Sequence, residues 1–245
     1  MLKTHQSTSS ITGRSILIGT LLCILNAYWL AYAAELIRPQ FLLNFVSLFF
    51  NAIFSLFALI VVNVPLRRFL PRHALTAQEM LVAYIMVVMV STIGGHTMMT
   101  FLIGTLAHPF RFATSENEWA DLFWRYIPEW FVPNSNALDD YFEGDSTFYI
   151  ARHLRGWLVP ILVWTGFVAL LWFVMICLNT IIRAQWTEKE KLAYPIIQLP
   201  LRMAEGGKAF YKSGVMWIGF GVAGFFELLA GLHHLFPQIP AVQLN

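Results

Sequence analysis

Charge is what this sequence has least of. Only 12% of its 245 residues are Asp, Glu, Lys or Arg, while 58% are hydrophobic. A soluble domain carries about 25% charged and about 45–50% apolar residues. Mean hydropathy is +0.61, so lipid replaces water over much of the surface. The net charge of +2 is small, and no basic helix or basic–aromatic array accompanies it, which excludes a nucleic-acid-binding class. Cysteine is equally scarce. Cys23 and Cys177 both fall inside apolar runs, a setting for buried thiols and not for a disulfide framework or a zinc site. No G-x-S-x-G, H-E-x-x-H or P-loop pattern occurs, so none of those hydrolase, metalloprotease or nucleotide-binding signatures applies.

Long hydrophobic runs are what the chain does have. Five segments can be drawn, at 16–37, 41–66, 77–107, 157–182 and 215–236. A spanning helix needs about 20 apolar residues for a hydrocarbon core about 30 Å thick. Four segments meet that length; the third has 31 residues and is interrupted by Ser91-Thr92-Ile93-Gly94-Gly95-His96-Thr97. The expected fold is therefore all-α, a polytopic helical membrane bundle of about five transmembrane segments, the third broken at Gly94-Gly95. Residues 1–245 read as a single membrane domain, with 108–156 as an outer aromatic and acidic loop.

Charge in the connecting pieces suggests orientation. Lys3, Arg14, Arg67, Arg68 and Arg72 mark two of them, and Arg183, Lys189, Lys191, Arg202, Lys208 and Lys212 a third. The 108–156 loop instead carries Glu116, Glu118, Asp121, Glu129, Asp139, Asp140, Glu143 and Asp145 against four arginines. Since Lys and Arg accumulate inside, the amino terminus and the 183–212 loop are expected inside and the acidic loop outside, in a cytoplasmic (inner) membrane. Ala31-Tyr32-Ala33 also mimics a signal-cleavage site, but the full spanning length and a polar packing position at Asn26 favour an uncleaved first helix.

Polar residues inside the helices supply the candidate site. Asn44, Ser47, Asn51 and Ser55 share one helical face, either as interhelical glue or as a pathway lining. Thr92, His96 and Thr100 repeat every four residues through the glycine break, which is either a packing kink or the wall of a cavity. Interrupted helices build the sites of many secondary transporters. In the last segment Gly219, Ala223, Glu227 and Gly231 recur every four residues. The small residues admit a close neighbour, and Glu227 lies near mid-bilayer, where a carboxylate costs at least about 2.5 kcal/mol. It must be protonated, paired or facing water, so it is either a coupling site or a structural hydrogen bond. His233 and His234 read as interfacial. The 157–182 helix, with little polarity beyond Thr165, reads as a lipid-facing helix at the periphery. Glu79, after Thr76, suits a helix amino terminus.

In the outer loop, Ser115 and Glu118 read as a capping box ahead of Trp119, Leu122, Phe123 and Tyr126, predicting a short amphipathic helix. Trp130, Phe131, Tyr141, Phe142, Phe148 and Tyr149 are interfacial anchors. Asp139, Asp140, Glu143 and Asp145 form either a solvated acidic face or the carboxylates of a membrane enzyme. In the inner loop, Pro195 and Pro200 argue against one regular helix and for a short re-entrant or interfacial element ending at Glu205-Gly206-Gly207.

Two stretches carry a resemblance. His108-Pro109-Phe110-Arg111-Phe112-Ala113-Thr114-Ser115-Glu116-Asn117 and Lys191-Leu192-Ala193-Tyr194-Pro195-Ile196-Ile197-Gln198-Leu199-Pro200 resemble a family of large uncharacterised bacterial multi-pass membrane proteins. The resemblance covers most of the chain and implies that it is the amino-terminal third of something longer. The inner loop with Ala204-Glu205-Gly206-Gly207 is more distantly similar to the proline-containing loop of the oligopeptide transporter family, secondary transporters of peptides or metal chelates. Ile196 and Ile197 stand where that family has glycine, so no substrate carries over.

The leading expectation is a secondary-transporter-like permease, possibly ion- or proton-coupled, of unspecified substrate. Its pathway would involve Asn44, Asn51, Ser91, Thr92, Gly94, Gly95, His96, Thr100 and Glu227. The alternatives are a membrane-embedded enzyme using the acidic loop and a non-catalytic scaffold. No cofactor and no metal is expected. The expected partners are the bilayer, a small-molecule or peptide-like substrate, and either further carboxy-terminal helices or a second copy.

Overall fold

A computed structural model describes residues 11–37, 50–94, 101–133, 137–191, 194–205 and 208–238, without the side chains of 33–37, 139, 195, 208–209, 227 and 234. The described residues are helical with no strand: α1 (Gly13–Ile37), α2 (Phe50–Phe69), α3 (Ala77–Gly94), α4 (Phe101–Arg111), α5 (Trp119–Leu122), α6 (Asp139–Glu143), α7 (Ala151–Ala184), α8 (Pro195–Glu205), α9 (Lys208–Tyr211) and α10 (Gly214–Leu235). Five helices, α1, α2, α3, α7 and α10, are long and apolar enough to cross a membrane. The chain divides into two compact units, one of residues 1–25, 48–88 and 195–245, the other of 26–47 and 89–194.

The described parts of the long third segment are α3, which at 18 residues meets spanning length, and α4, from Phe101; the expected break at Gly94-Gly95 falls between them, outside the described residues. Residues 95–100, which hold Gly95, His96 and Thr100, lie outside the described ones, as does Asn44.

In the first unit, Leu56 of α2 packs with Leu75, Met80, Met203 and Ala204. Where lipid is the competing environment, such contact gains dispersion more than hydrophobic transfer. The same α2 face buries two amides, Asn51 and Asn63. Asn63 grips the Leu75 peptide on both sides: its Oδ1 accepts from the Leu75 N–H at 2.7 Å and its Nδ2 donates to the Leu75 carbonyl at 2.9 Å. This fixes the link between α2 and α3, including the tight turn Pro71–His73. Ser55 turns back on its own helix, its Oγ donating to the Asn51 carbonyl at 2.7 Å. The described part of the α2 stripe thus lies on a packed face of this unit.

α3 starts with a reciprocal cap. The Glu79 carboxylate accepts from the Thr76 N–H at 2.9 Å while Thr76 Oγ1 accepts from the Glu79 N–H at 3.2 Å, a capping box with the Thr-x-x-Glu spacing. Thr12 Oγ1 and Arg14 Nη2 also donate to the same carboxylate, at 2.6 and 2.8 Å. Glu79 thus does more than complement a helix dipole: it ties the start of α1 to the start of α3.

The expected irregularity at the prolines does not occur. α8 runs unbroken from Pro195 to Glu205. Pro195 is its first residue, where the missing N–H needs no partner, and Pro200 and Met203 are buried on the inward face. Two prolines in one 11-residue helix are tolerated because only Pro200 removes an internal bond.

Close packing also falls elsewhere than at the glycines picked from sequence. A Cβ at Gly94 meets only Leu30 Cδ1, at an ordinary 3.8 Å, and one at Gly219 or Gly231 of α10 meets nothing within 4 Å. A Cβ at Gly19 would overlap Met86 Sδ and lie 3.4 Å from Ala83 Cα. The small-residue stripe of α10 is thus open, and α1 approaches α3 at Gly19. We expect Gly19→Leu to destabilise the protein by about 1–3 kcal/mol through overpacking and Gly94→Ala to be near neutral. Thermal midpoints in detergent check this, and equal midpoints for the two variants would contradict it.

Candidate functional site

The second unit is built on α7, whose 34 residues extend about 51 Å at 1.5 Å per residue. That exceeds a hydrocarbon core of about 30 Å. The helix begins at Ala151, six residues before the expected start. Most of its surface is exposed, in keeping with a lipid-facing helix, but one face is not bare. Trp157, Pro160, Trp164, Val168, Ala169 and Trp172, at helical spacing, form the wall of a cleft of about 900 Å³. Ile93 from α3 and Leu102, Ile103 and Leu106 from α4 form other parts of its wall. This corrects the reading of α7 as a purely peripheral helix.

Indole N–H groups fix the loop ahead of α7 onto that helix. Trp157 Nε1 donates to the Ala137 carbonyl at 3.4 Å and Trp164 Nε1 to the Phe131 carbonyl at 3.1 Å. Phe131 packs on Trp164, and Tyr141 on Trp157, with ring centroids 4.7 and 5.7 Å apart. The predicted capping box is not the one used. Glu118 adopts φ +52°, and Thr114 and Asn117 instead exchange bonds, Asn117 Oδ1 accepting from the Thr114 N–H at 2.9 Å and Thr114 Oγ1 from the Asn117 N–H at 3.3 Å. The amphipathic helix shortens accordingly to the single turn α5, followed by a 3-10 turn at Trp124–Tyr126.

One end of the cleft is polar. There, at the start of α7, the buried His153 ring bonds two acceptors: Nε2 lies 2.7 Å from Asp140 Oδ2 and Nδ1 2.8 Å from the Thr147 carbonyl. Arg152 is ion-paired to the same Asp140 oxygen. A carbonyl can only accept, so Nδ1 carries a proton; an ionised carboxylate likewise requires one on Nε2. Of the other acidic candidates, Glu143 faces Arg111 at 3.6 Å and Asp145 is exposed with φ +52°. Among the described residues no three His, Cys, Asp or Glu side chains gather as a metal site would require.

The hydrogen bond from His153, with help from Arg152, holds the Asp140 carboxyl below its usual range. A depressed carboxylate pKa stabilises the fold above the unfolded value of about 3.9 and loses that effect as pH falls through the folded value. The melting-temperature gap between the native chain and Asp140→Asn should therefore be widest near neutrality and close below about pH 4. A gap independent of pH would show that the charge of Asp140 contributes nothing.

The residues singled out from sequence are only partly gathered. Ser91 is buried on α3 and accepts from Asn26 Nδ2 at 3.0 Å, giving Asn26 its packing role. Thr92 is exposed, and Gly94 is the last described residue of α3. Ile93, between them, lines the cleft. Asn51 belongs to the other unit, as does Glu227, whose backbone lies in α10. Arg152, paired to Asp140, and His153, in the cleft wall, are absent from the sequence-derived set. They sit 12 and 13 residues after Asp140, across a turn-rich loop with no periodicity to link them. The Trp157–Trp164 repeat, one residue pair seven apart on a helix, was the available signal for the cleft wall.

No curated protein and no solved structure matches the chain. Residues 5–245 match a single family model, and with nearly its whole length covered the chain belongs to the family of unknown function DUF6785.

Proposed function

We propose that the chain is a permease-like integral membrane protein whose substrate chamber is the cleft of the second unit. The observation that carries this reading is the cleft itself. It has about 900 Å³ of largely apolar volume, within the range of ligand pockets, with a few convergent polar groups at one end. Ile93, the penultimate described residue of α3, lines the cleft beside the Gly94-Gly95 pair at which the helix is expected to break, and interrupted helices build many transporter sites. The test is uptake into proteoliposomes of labelled dipeptides, organic acids and fatty acids. Uptake above that of empty vesicles, abolished by filling the cleft with Ala169→Trp, is the expected result. Uptake unaffected by that variant would place the pathway elsewhere.

Orientation is part of the same proposal, from the Lys and Arg asymmetry. In a chain lacking Cys23 and Cys177, single cysteines replacing the exposed Glu129 and Glu205 should react with an impermeant thiol reagent from outside and inside respectively. Labelling of both from one side would overturn the map.

A second reading, an enzyme acting on a lipid-linked substrate, draws on the Asp140–His153 pair. Both ring nitrogens already bond groups of the chain itself, which leaves the imidazole no nitrogen open to a substrate proton. For that reason the permease reading ranks first.

A further inference from the structure

We propose that the link between α2 and α3 holds the head of an anionic phospholipid, its phosphate on Arg68 and Arg72 and its chains along one exposed face of α2. Nothing in this site depends on transport. α2 and α3 are both long and apolar enough to span, and only residues 70–76 separate them, so the link lies at a membrane surface. α1 starts there too. Arg14, its second residue, donates from Nη1 to the Arg72 carbonyl at 3.4 Å and from Nη2 to the Ala74 carbonyl at 3.0 Å. Arg67, near the end of α2, donates from Nη2 to the Leu75 carbonyl at 3.3 Å. One short link thus gathers Arg14, Arg67, Arg68 and Arg72.

A guanidinium keeps its proton in a protein, so this charge is fixed. Among the described residues the carboxylate that meets the group is Glu79, and it pairs with Arg14. Arg14 is therefore a brace, held by that carboxylate and two carbonyls. Arg67, Arg68 and Arg72 are exposed, and no described carboxylate is ion-paired to them. Each planar fork carries five N–H donors and matches a pair of phosphate oxygens. The second feature is apolar and ends where the charge begins. Phe57, Val61, Val64 and Arg68 are spaced four, three and four apart, so they share one face of α2, and all four are exposed. From Phe57 to Arg68 that face extends about 16 Å at 1.5 Å per residue, close to one leaflet's share of a hydrocarbon core about 30 Å thick. The Arg68 guanidinium lies 5.8 Å from the centroid of the exposed Phe69 ring. That cation–π contact holds it at the level where aromatic residues mark the interface. A phosphate carrying acyl chains meets both features; a soluble phosphate meets only the first.

In the experiment the full chain, purified in detergent, meets equal amounts of phosphatidylglycerol and phosphatidylcholine with identical chains, and bound lipid is counted by native mass spectrometry. Phosphatidylcholine keeps the phosphate but adds an ammonium that the arginines repel. Phosphatidylglycerol should bind about tenfold more tightly, the scale of one or two arginines acting on an anionic head. Arg68→Gln combined with Arg72→Gln should bring the two lipids to parity, and the corresponding lysine pair should keep part of the preference. Arg183→Gln, at an exposed arginine near the end of α7, should leave it unchanged. A preference that survives the double glutamine variant, or that Arg183→Gln reduces equally, would replace the site with diffuse surface charge. Glycerol phosphate and inorganic phosphate should fail to displace the lipid. Displacement by either would make this a soluble-phosphate site and overturn the lipid assignment. Equal binding of the two lipids to the native chain would overturn anion recognition altogether.

Discussion

Glu79→Ala is expected to lower stability by about 2–4 kcal/mol, the largest effect of any single polar substitution in the first unit. The carboxylate is 7% exposed and accepts from Arg14, Thr12 and both the N–H and hydroxyl of Thr76. Loss of a helix cap costs about 1 kcal/mol, and hydrogen bonds to a charged group contribute about 1.5–3 kcal/mol. The two are not additive, because the same side chain makes both. Arg14 also donates to the Ala74 carbonyl at 3.0 Å, so removing Glu79 loosens the whole link ahead of α3. Glu79→Gln keeps an acceptor oxygen and should lose about half as much. Arg14→Ala should cost only about 1 kcal/mol, since a partly exposed ion pair contributes little and the carboxylate keeps three donors. The readout is the thermal midpoint in detergent by fluorescence-detected size exclusion. A Glu79→Ala midpoint indistinguishable from that of the native chain would dismiss the clamp.

What could be read from the sequence follows the range of the interactions. Spanning length is a sum over about 20 consecutive residues, and the five helices long enough to span begin and end near the predicted limits where they are described. α10, Gly214–Leu235 against 215–236, is the plainest case. Local chemistry was readable when its partners sit three or four residues apart, as in Thr76 and Glu79. It misled where two candidates compete: Ser115–Glu118 and Thr114–Asn117 overlap, and the second wins with an amide that satisfies three groups at once, the Thr114 and Trp119 N–H and the Phe112 carbonyl. Helix-breaking rules overstated Pro195, because a proline in the first position of a helix removes nothing. Beyond the Trp157–Trp164 repeat, periodicity gives no sign of the cleft. It needs Asp140, Thr147 and His153 together, three residues joined by a loop whose path depends on Trp157 and Trp164 donating to carbonyls 20 and 33 residues earlier. Likewise Gly19 resembles any other glycine in an apolar run until Met86, 67 residues later, packs on it.

Trp157→Ala is the substitution expected to damage the second unit most. The indole is 7% exposed and packs with Ala107, Ala137 and Leu138, stacks near Tyr141 and donates to the Ala137 carbonyl. Truncating a buried tryptophan costs about 3–5 kcal/mol through lost contacts and the void left behind. Here the cost extends further, because the same ring holds α6, and hence Asp140, against His153. Trp157→Phe separates the two contributions. It keeps most of the aromatic volume and loses only the N–H donor, a change of about 1 kcal/mol, so its midpoint should lie close to the native one. The alanine variant should in addition lose the pH-dependent part of stability that Asp140 confers, since a displaced α6 no longer brings its carboxylate to the imidazole. The discriminating measurement is therefore the pH profile of the melting temperature in Trp157→Ala with and without Asp140→Asn. If the two profiles coincide, Trp157 is the residue that sets the mouth of the cleft. If Asp140→Asn still shifts the profile in the alanine background, the Asp140–His153 contact holds by itself and the tryptophan is only filling space.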